Sequence, residues 1–227
     1  VRQLKGVNHF ALGRWVNSKN HQQRQGTILI LVFDKREDVG NVSMDDDILE
    51  ANIRSEIRDW SKTALEIPNK EYNDFPVCPF AAKAWSDNKV DIQFKYSCSP
   101  EVFYEILSNY NDKYELVILV DFEYDEKPER FYEYIDGLNE CISNATFTDR
   151  DMYVMGFHPD DETNPVINHE GFEERVDVSY AMIFIQRLSL LYKSSQKLSM
   201  LNYYQREGGD YEAEAIMKRR KELYRRL

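Results

Sequence analysis

The sequence predicts an α/β fold, a layered sheet of alternating strands and helices, with an N-terminal arm and a C-terminal helix added. Three observations carry that expectation. Apolar runs of strand length alternate with stretches whose apolar residues recur at helical spacing. The run Leu116-Val117-Ile118-Leu119-Val120 is apolar without a break, as suits a central strand covered on both faces. Prolines stand where helices should start or stop, at Pro68, Pro100 and Pro128. Alternating strands and helices imply layers packed on one sheet.

Taken in order, residues 1–26 show no clean periodicity and read as an extended basic arm that Phe10, Leu12 and Trp15 can anchor. The α/β domain is placed over 27–200, opening with the β-rich run Thr27 to Phe33. Ser43 has the character of a helix N-cap, with Asp45, Asp46 and Asp47 in the first turn, where carboxylates suit the helix dipole. Consecutive acids on a helix point in different directions, so capping is preferred over a metal site. Ile48, Ile53, Ile57, Trp60 and Ala64 give this helix an apolar face, and Pro68 ends it. Val90 to Tyr96 alternates and predicts a strand with one wet face made by Asp91, Gln93 and Lys95. Ser99-Pro100 opens a helix with Val102, Phe103, Ile106, Leu107 and Tyr110 inward. Pro128 starts another, with Phe131, Tyr134, Ile135, Leu138 and Ile142 inward. A strand over Asp151 to Phe157 follows, and Tyr180 to Tyr192 reads as a strongly apolar helix. Gly208-Gly209 then separates a charged C-terminal helix over 210–227.

The chain of 227 residues is long enough to bury a substantial core, and 42% hydrophobic with 30% charged residues is ordinary for a globular protein. Its net charge of −11 is unevenly spread. Arg2, Lys5, Arg14, Lys19 and Arg24 stand in the first 33 residues without one acid, and the last turns carry Lys218 to Lys221, Arg225 and Arg226. An acidic body repels phosphate backbones, so direct nucleic-acid binding by the body is not expected. The basic ends are the expected docking segments for protein partners, the alternative being solvated arms. No apolar run is long enough to span a membrane. Three widely spaced cysteines make no disulfide framework and point to a reducing compartment, cytoplasm or organelle matrix. A basic, acid-free start that lacks Met resembles the residue left near an organellar transit peptide, mitochondrial or plastid.

Two stretches hold the candidate chemistry. Pro76 and Pro79 bracket Cys78 in a stiff turn, where a thiolate could serve as nucleophile or ligand if Lys83 or the following helix start lowers its pKa from about 8.5. The alternative is a buried packing cysteine. Cys98 and Cys141 read as packing residues. His158 ends a strand in Gly156-Phe157-His158-Pro159-Asp160-Asp161, at the kind of sheet edge where ligands gather in open α/β folds. With Asp160 and Asp161 it could form an acid–base pair or ligand set, or simply a strand-end turn. His169 lies in what reads as a solvated loop. Signatures of metalloproteases, P-loops and α/β-hydrolases are missing from the sequence, and no cofactor or metal is assigned.

Trp60, Cys78-Pro79-Phe80-Ala81, Phe157-His158-Pro159-Asp160, Tyr180 and Arg187 occur in an order that resembles a family of small bacterial and algal proteins known only as a domain of unknown function. That family has a tryptophan-bearing helix leading to CPFA, an alternating strand, an apolar strand, and a strand ending in FHPD. An Asn-Arg-Ser-Pro-Tyr-Pro segment then runs into an apolar helix with an arginine. The resemblance covers residues 55–195 and implies Tyr180 and Arg187 as lining residues of a common pocket. Where the family has Asn-Arg-Ser-Pro-Tyr-Pro, this chain has Val176 to Ala181, with Asp177 reversing the arginine's charge.

Two functional readings stand side by side. One is an accessory or structural subunit of a larger, possibly organellar, protein assembly derived from that family. Its motives are the reversed charge, the basic ends, and fifteen Tyr with three Trp, since aromatics are favoured at interfaces. The other is a small-molecule enzyme with Cys78 as nucleophile or ligand, His158 as base or ligand and Asp160 orienting it. Lys83, Tyr180 and Arg187 would then stand around the ligand.

Overall fold

The computed structural model describes residues 44–124, 127–146, 149–161, 178–204 and 211–227, all within the unit Ser43–Leu227. The expected arm over 1–26, the strand over 27–33, the Ser43 cap, His169, Asp177 and the Gly208-Gly209 hinge lie outside the described residues. Helix α1 (Met44–Trp60) runs into a π turn (Ser61–Leu65) and a two-stranded hairpin, β1 (Pro68–Asn69) with β2 (Phe75–Pro76). Then come α2 (Ala81–Ser86), β3 (Val90–Lys95), α3 (Glu101–Ser108), β4 (Leu116–Asp121), α4 (Pro128–Ser143) and β5 (Tyr153–Phe157). Strand β6 (Ala181–Gln186), α5 (Leu188–Met200) and α6 (Tyr211–Tyr224) complete the described chain. The α/β class predicted from the sequence is the one observed.

Four strands form one mixed sheet in the order β3-β4-β6-β5. Strands β3 and β4 are parallel, and β6 pairs antiparallel with both β4 and β5. It follows that β3, β4 and β5 run the same way and bring their carboxyl ends to one edge. Side chains alternate across the sheet. Val117 and Leu119 of β4 pack with Phe103 and Ile106 of α3 and Phe131 and Ile135 of α4. Ile118 and Val120 pack on the opposite face with Ile53, Ile57 and Trp60 of α1. The two helical layers therefore sandwich β4, which is why its sequence is apolar up to its final acid.

Close approach of α4 to the sheet depends on Gly156 in β5. A Cβ there would lie 2.5 Å from Phe131 Cε1 and 2.9 Å from Ile135 Cγ1. The same helix is tied to β5 by Asn139. Its amide donates to the Val154 carbonyl at 2.8 Å and accepts the Val154 N–H at 2.9 Å.

One element differs in kind from its expectation. The stretch over Tyr180 to Tyr192, expected as one helix, is strand β6 followed by α5. Strand β6 is central and covered on both faces, with Ala181, Ile183 and Ile185 toward α3 and α4 and Met182 toward α1. A short apolar run of that kind carries no period that separates strand from helix. What fixes the break is remote. Asp151 accepts from the Ser189 N–H and from the Ser189 hydroxyl, both at 2.6 Å, and so caps α5 from 38 residues away. Smaller differences concern faces: Ile48, Tyr96 and Tyr134, expected inward, are exposed.

Helix α6 packs back on the domain through Leu223, which is buried against Tyr153 and Leu188, and Tyr224, which stacks on Tyr192 at 4.4 Å. Arg219 and Arg226 both reach Glu140 on α4, and the Arg219 hydrogen bond holds that carboxyl below its ordinary value. Arg220 lies over the Tyr153 ring and donates to Ser195 Oγ at 3.1 Å. Part of the basic C-terminal charge is thus turned inward.

Candidate functional site

The edge formed by the carboxyl ends of β3, β4 and β5 is where the sheet gathers its polar groups, as in other open α/β sheets. Register aligns Lys95 with Asp121, and Asp121 with Ala181. One step past the Phe157–Met182 pair, His158 comes level with Ala181. Lys95, Asp121 and His158 therefore share one cross-strand row on the α3–α4 face, with the small Ala181 between the ion pair and the imidazole.

All three are buried. Lys95 Nζ donates to both Asp121 carboxylate oxygens, at 2.8 and 2.9 Å, and Oδ1 also accepts the Glu123 N–H at 3.0 Å. His158 stands edge-on to Phe131 at 5.6 Å and to Tyr124 at 6.2 Å. Its Nδ1 accepts the backbone N–H of Asp160 at 3.1 Å, which leaves the imidazole proton to Nε2. Asp160 thus meets His158 through its backbone N–H. The neighbouring Asp161 accepts the Tyr132 hydroxyl at 2.6 Å. Tyr134, 38% exposed as a whole residue, borders this row, and desolvation around its hydroxyl, then the nearby Tyr104, Asp121 and Tyr124, push that hydroxyl up. Chemically the row is a closed ion pair beside a histidine that fixes a turn, bordered by a tyrosine that keeps its proton.

The other residues singled out from the sequence lie elsewhere. Cys78 sits below the π turn that ends α1, its N–H donating to the Leu65 carbonyl at 2.9 Å and its carbonyl accepting the Ala81 N–H at 3.1 Å. Burial pushes its thiol up, against smaller opposite pulls from the backbone of Phe80 and Ala81, and the Glu66 charge adds least, in the upward direction. Leu65 belongs to the α1 layer, whereas His158 belongs to the α4 layer. Lys83 is exposed and bonded to Asp87, which raises its pKa. Tyr180 is on the α1 face, where its hydroxyl donates to the buried Glu56 at 2.6 Å and its ring meets Phe122 edge-on. Arg187 follows the far end of β6 and so marks the opposite sheet edge from His158. There it pairs with Asp112 at 2.8 Å and with Asp149, and covers the Tyr110 ring at 5.0 Å. The six residues thus occupy two faces and two edges of the sheet and do not converge on one point.

Sequence reasoning misses Lys95 and Asp121. Lys95 reads as part of a wet face, because alternation on an edge strand says nothing of a helix lying over it. Farther along that face, Asp91 and Gln93 line a groove of about 220 Å³ whose other walls include Glu105, Asn109 and Tyr110. The one available signal for Asp121 is an acid closing an unbroken apolar run. Among the described residues, no group of three or more His, Cys, Asp or Glu is placed to hold a metal ion, and no helix is long and apolar enough to cross a membrane. Compared with known proteins, the chain matches no family model, no curated protein and no solved structure.

Proposed function

We propose that this chain is an accessory or structural subunit of a larger protein assembly, diverged from the family with the CPFA and FHPD motifs. The observation that carries this reading is the use made of the reactive side chains. Cys78 closes a turn under α1, His158 fixes the turn after β5, Lys95 and Asp121 neutralise each other, and Arg187 clamps two loops. Among the described residues, these contacts tie each of them into the fold, which supports a structural use over an acid–base or nucleophilic one.

The surface, by contrast, offers material for association. Met200 is 76% exposed and Leu201 56% exposed where α5 ends, and Ile67 is 51% exposed before the hairpin. Lys218, Lys221 and Arg225 of the C-terminal segment face solvent and suit an acidic partner. Cys78, Cys98 and Cys141 all stand as thiols, which agrees with a reducing compartment such as the cytoplasm or a mitochondrial or plastid matrix. The enzyme alternative, with Cys78, His158 and Asp160 acting together, finds its thiol and imidazole in different helical layers.

Size-exclusion of a gently prepared native extract tests the proposal. The protein should elute far above the position of a 26.9 kDa chain and should co-elute reproducibly with defined partners. Elution of all of it as a clean monomer would contradict the subunit reading.

A further inference from the structure

On the α1 face of the same sheet edge, three aromatic rings lie nearly parallel. Phe94 and Phe122 are 6.1 Å apart at 9°, Tyr96 and Phe122 are 4.9 Å apart at 24°, and Phe94 and Tyr96 are 6.4 Å apart at 23°. The cluster already holds one cation. The Arg54 guanidinium lies over the Phe94 ring, 4.8 Å from its centroid, and is steadied by Glu50 at 3.7 Å. Tyr96 continues the cluster outward and is 43% exposed. Acids stand beside it: Glu50 accepts its hydroxyl at 3.0 Å, Asp46 acts on the same hydroxyl, and the chain as a whole is at −11. After burial, Glu50 and Asp46 are the groups that push the Tyr96 hydroxyl up, and Arg54 opposes them, so the local field is negative.

We propose that the Tyr96–Phe122 surface docks an arginine-bearing, basic segment of a partner protein, with a guanidinium laid on Tyr96 as Arg54 is laid on Phe94. An exposed ring face with a carboxylate rim attracts a guanidinium through the ring quadrupole and through charge, and arginine is the side chain whose planar, weakly hydrated head stacks best. A neutral or acidic segment gains neither term. Helix α1 borders this surface, bringing Glu50 to the Tyr96 hydroxyl and Arg54 over the Phe94 ring, and leaves Tyr96 43% exposed. This inference rests on the subunit reading and deepens it by naming the chemistry of one partner.

The test uses the full chain and a fluorescent peptide of alternating glycine and arginine, titrated by anisotropy at low ionic strength. Saturable binding is expected, weakened about three- to tenfold by Tyr96→Leu and kept by Tyr96→Phe. Replacing the peptide's arginines by neutral citrulline should abolish it. Glu133→Gln, which removes an acid from the exposed face of α4, should leave it unchanged. Equal binding by wild type and Tyr96→Leu, or equal weakening by Glu133→Gln, would overturn the proposal in favour of diffuse charge attraction. A wild-type dimer in sedimentation that Tyr96→Leu dissolves would also overturn it, assigning the surface to a second copy. If Tyr96 proves irrelevant while the native protein still elutes in a large complex, only this surface fails. If peptide binding holds but the native protein is a monomer, only the subunit reading fails.

Discussion

Lys95→Met should destabilise the domain by about 3–5 kcal/mol, because it strands the Asp121 carboxylate in the interior without its cation. The pair is sealed, with side chains 10% and 5% exposed, and both carboxylate oxygens accept from the ammonium. Removing one partner forfeits those bonds and leaves the other's desolvation uncompensated. The pair itself is a weaker source of net stability than its loss suggests. Replacing a buried ion pair with apolar residues of similar volume is often neutral. The double variant Lys95→Met with Asp121→Leu should therefore recover most of the loss, short of the Glu123 N–H bond that Asp121 also accepts. Urea unfolding of the three proteins measures both quantities. Equal stability of the single and double variants would mean that the pair is hydrated rather than sealed.

Gly156→Ala should cost about 1–3 kcal/mol by overpacking. The added methyl meets Phe131 Cε1 at 2.5 Å and Ile135 Cγ1 at 2.9 Å, distances that real Cβ atoms do not show, so helix α4 or the Phe131 ring must move. Phe131 is fully buried and touches His158 and Tyr124, so the shift passes directly to the turn after β5. Phe131→Leu removes the clashing ring edge. Its own cost and that of Gly156→Ala should be less than additive when combined, the signature of two residues competing for one volume. Thermal unfolding of both single variants and the double decides this. Strict additivity would show that α4 does not rest on Gly156.

Much of the architecture is legible in the sequence because local rules and tertiary environment agree there. Strand β3 alternates, β4 is an unbroken apolar run, and α3 and α4 begin beside prolines with Phe103, Ile106, Phe131 and Ile135 inward. Strand β6 reads as helix because a doubly covered strand and a buried helix turn share one composition, and its end is set by Asp151 from another segment. Among the site residues, the placement of His158 at a carboxyl sheet edge follows from the strand pattern. Its actual neighbours do not, since the Lys95–Asp121 pair joins residues 26 apart through parallel register. Pairing His158 with Cys78 presupposes a shared layer. Proline geometry makes the Cys78 turn stiff, but the layer is fixed by docking on the Leu65 carbonyl, which no local pattern announces.

The claim on which the whole reading turns is that Cys78 is a fixture of the fold rather than a nucleophile. The direct measurement is the alkylation rate of each cysteine in the folded full chain at near-neutral pH, resolved by peptide mass mapping. Cys98 and Cys141 are exposed, while burial holds the Cys78 thiol above its ordinary pKa. Cys78 should therefore label slowest of the three. If Cys78 labels fastest, with a rate that persists as pH falls below the ordinary thiol range, it is an activated thiolate and the account is contradicted.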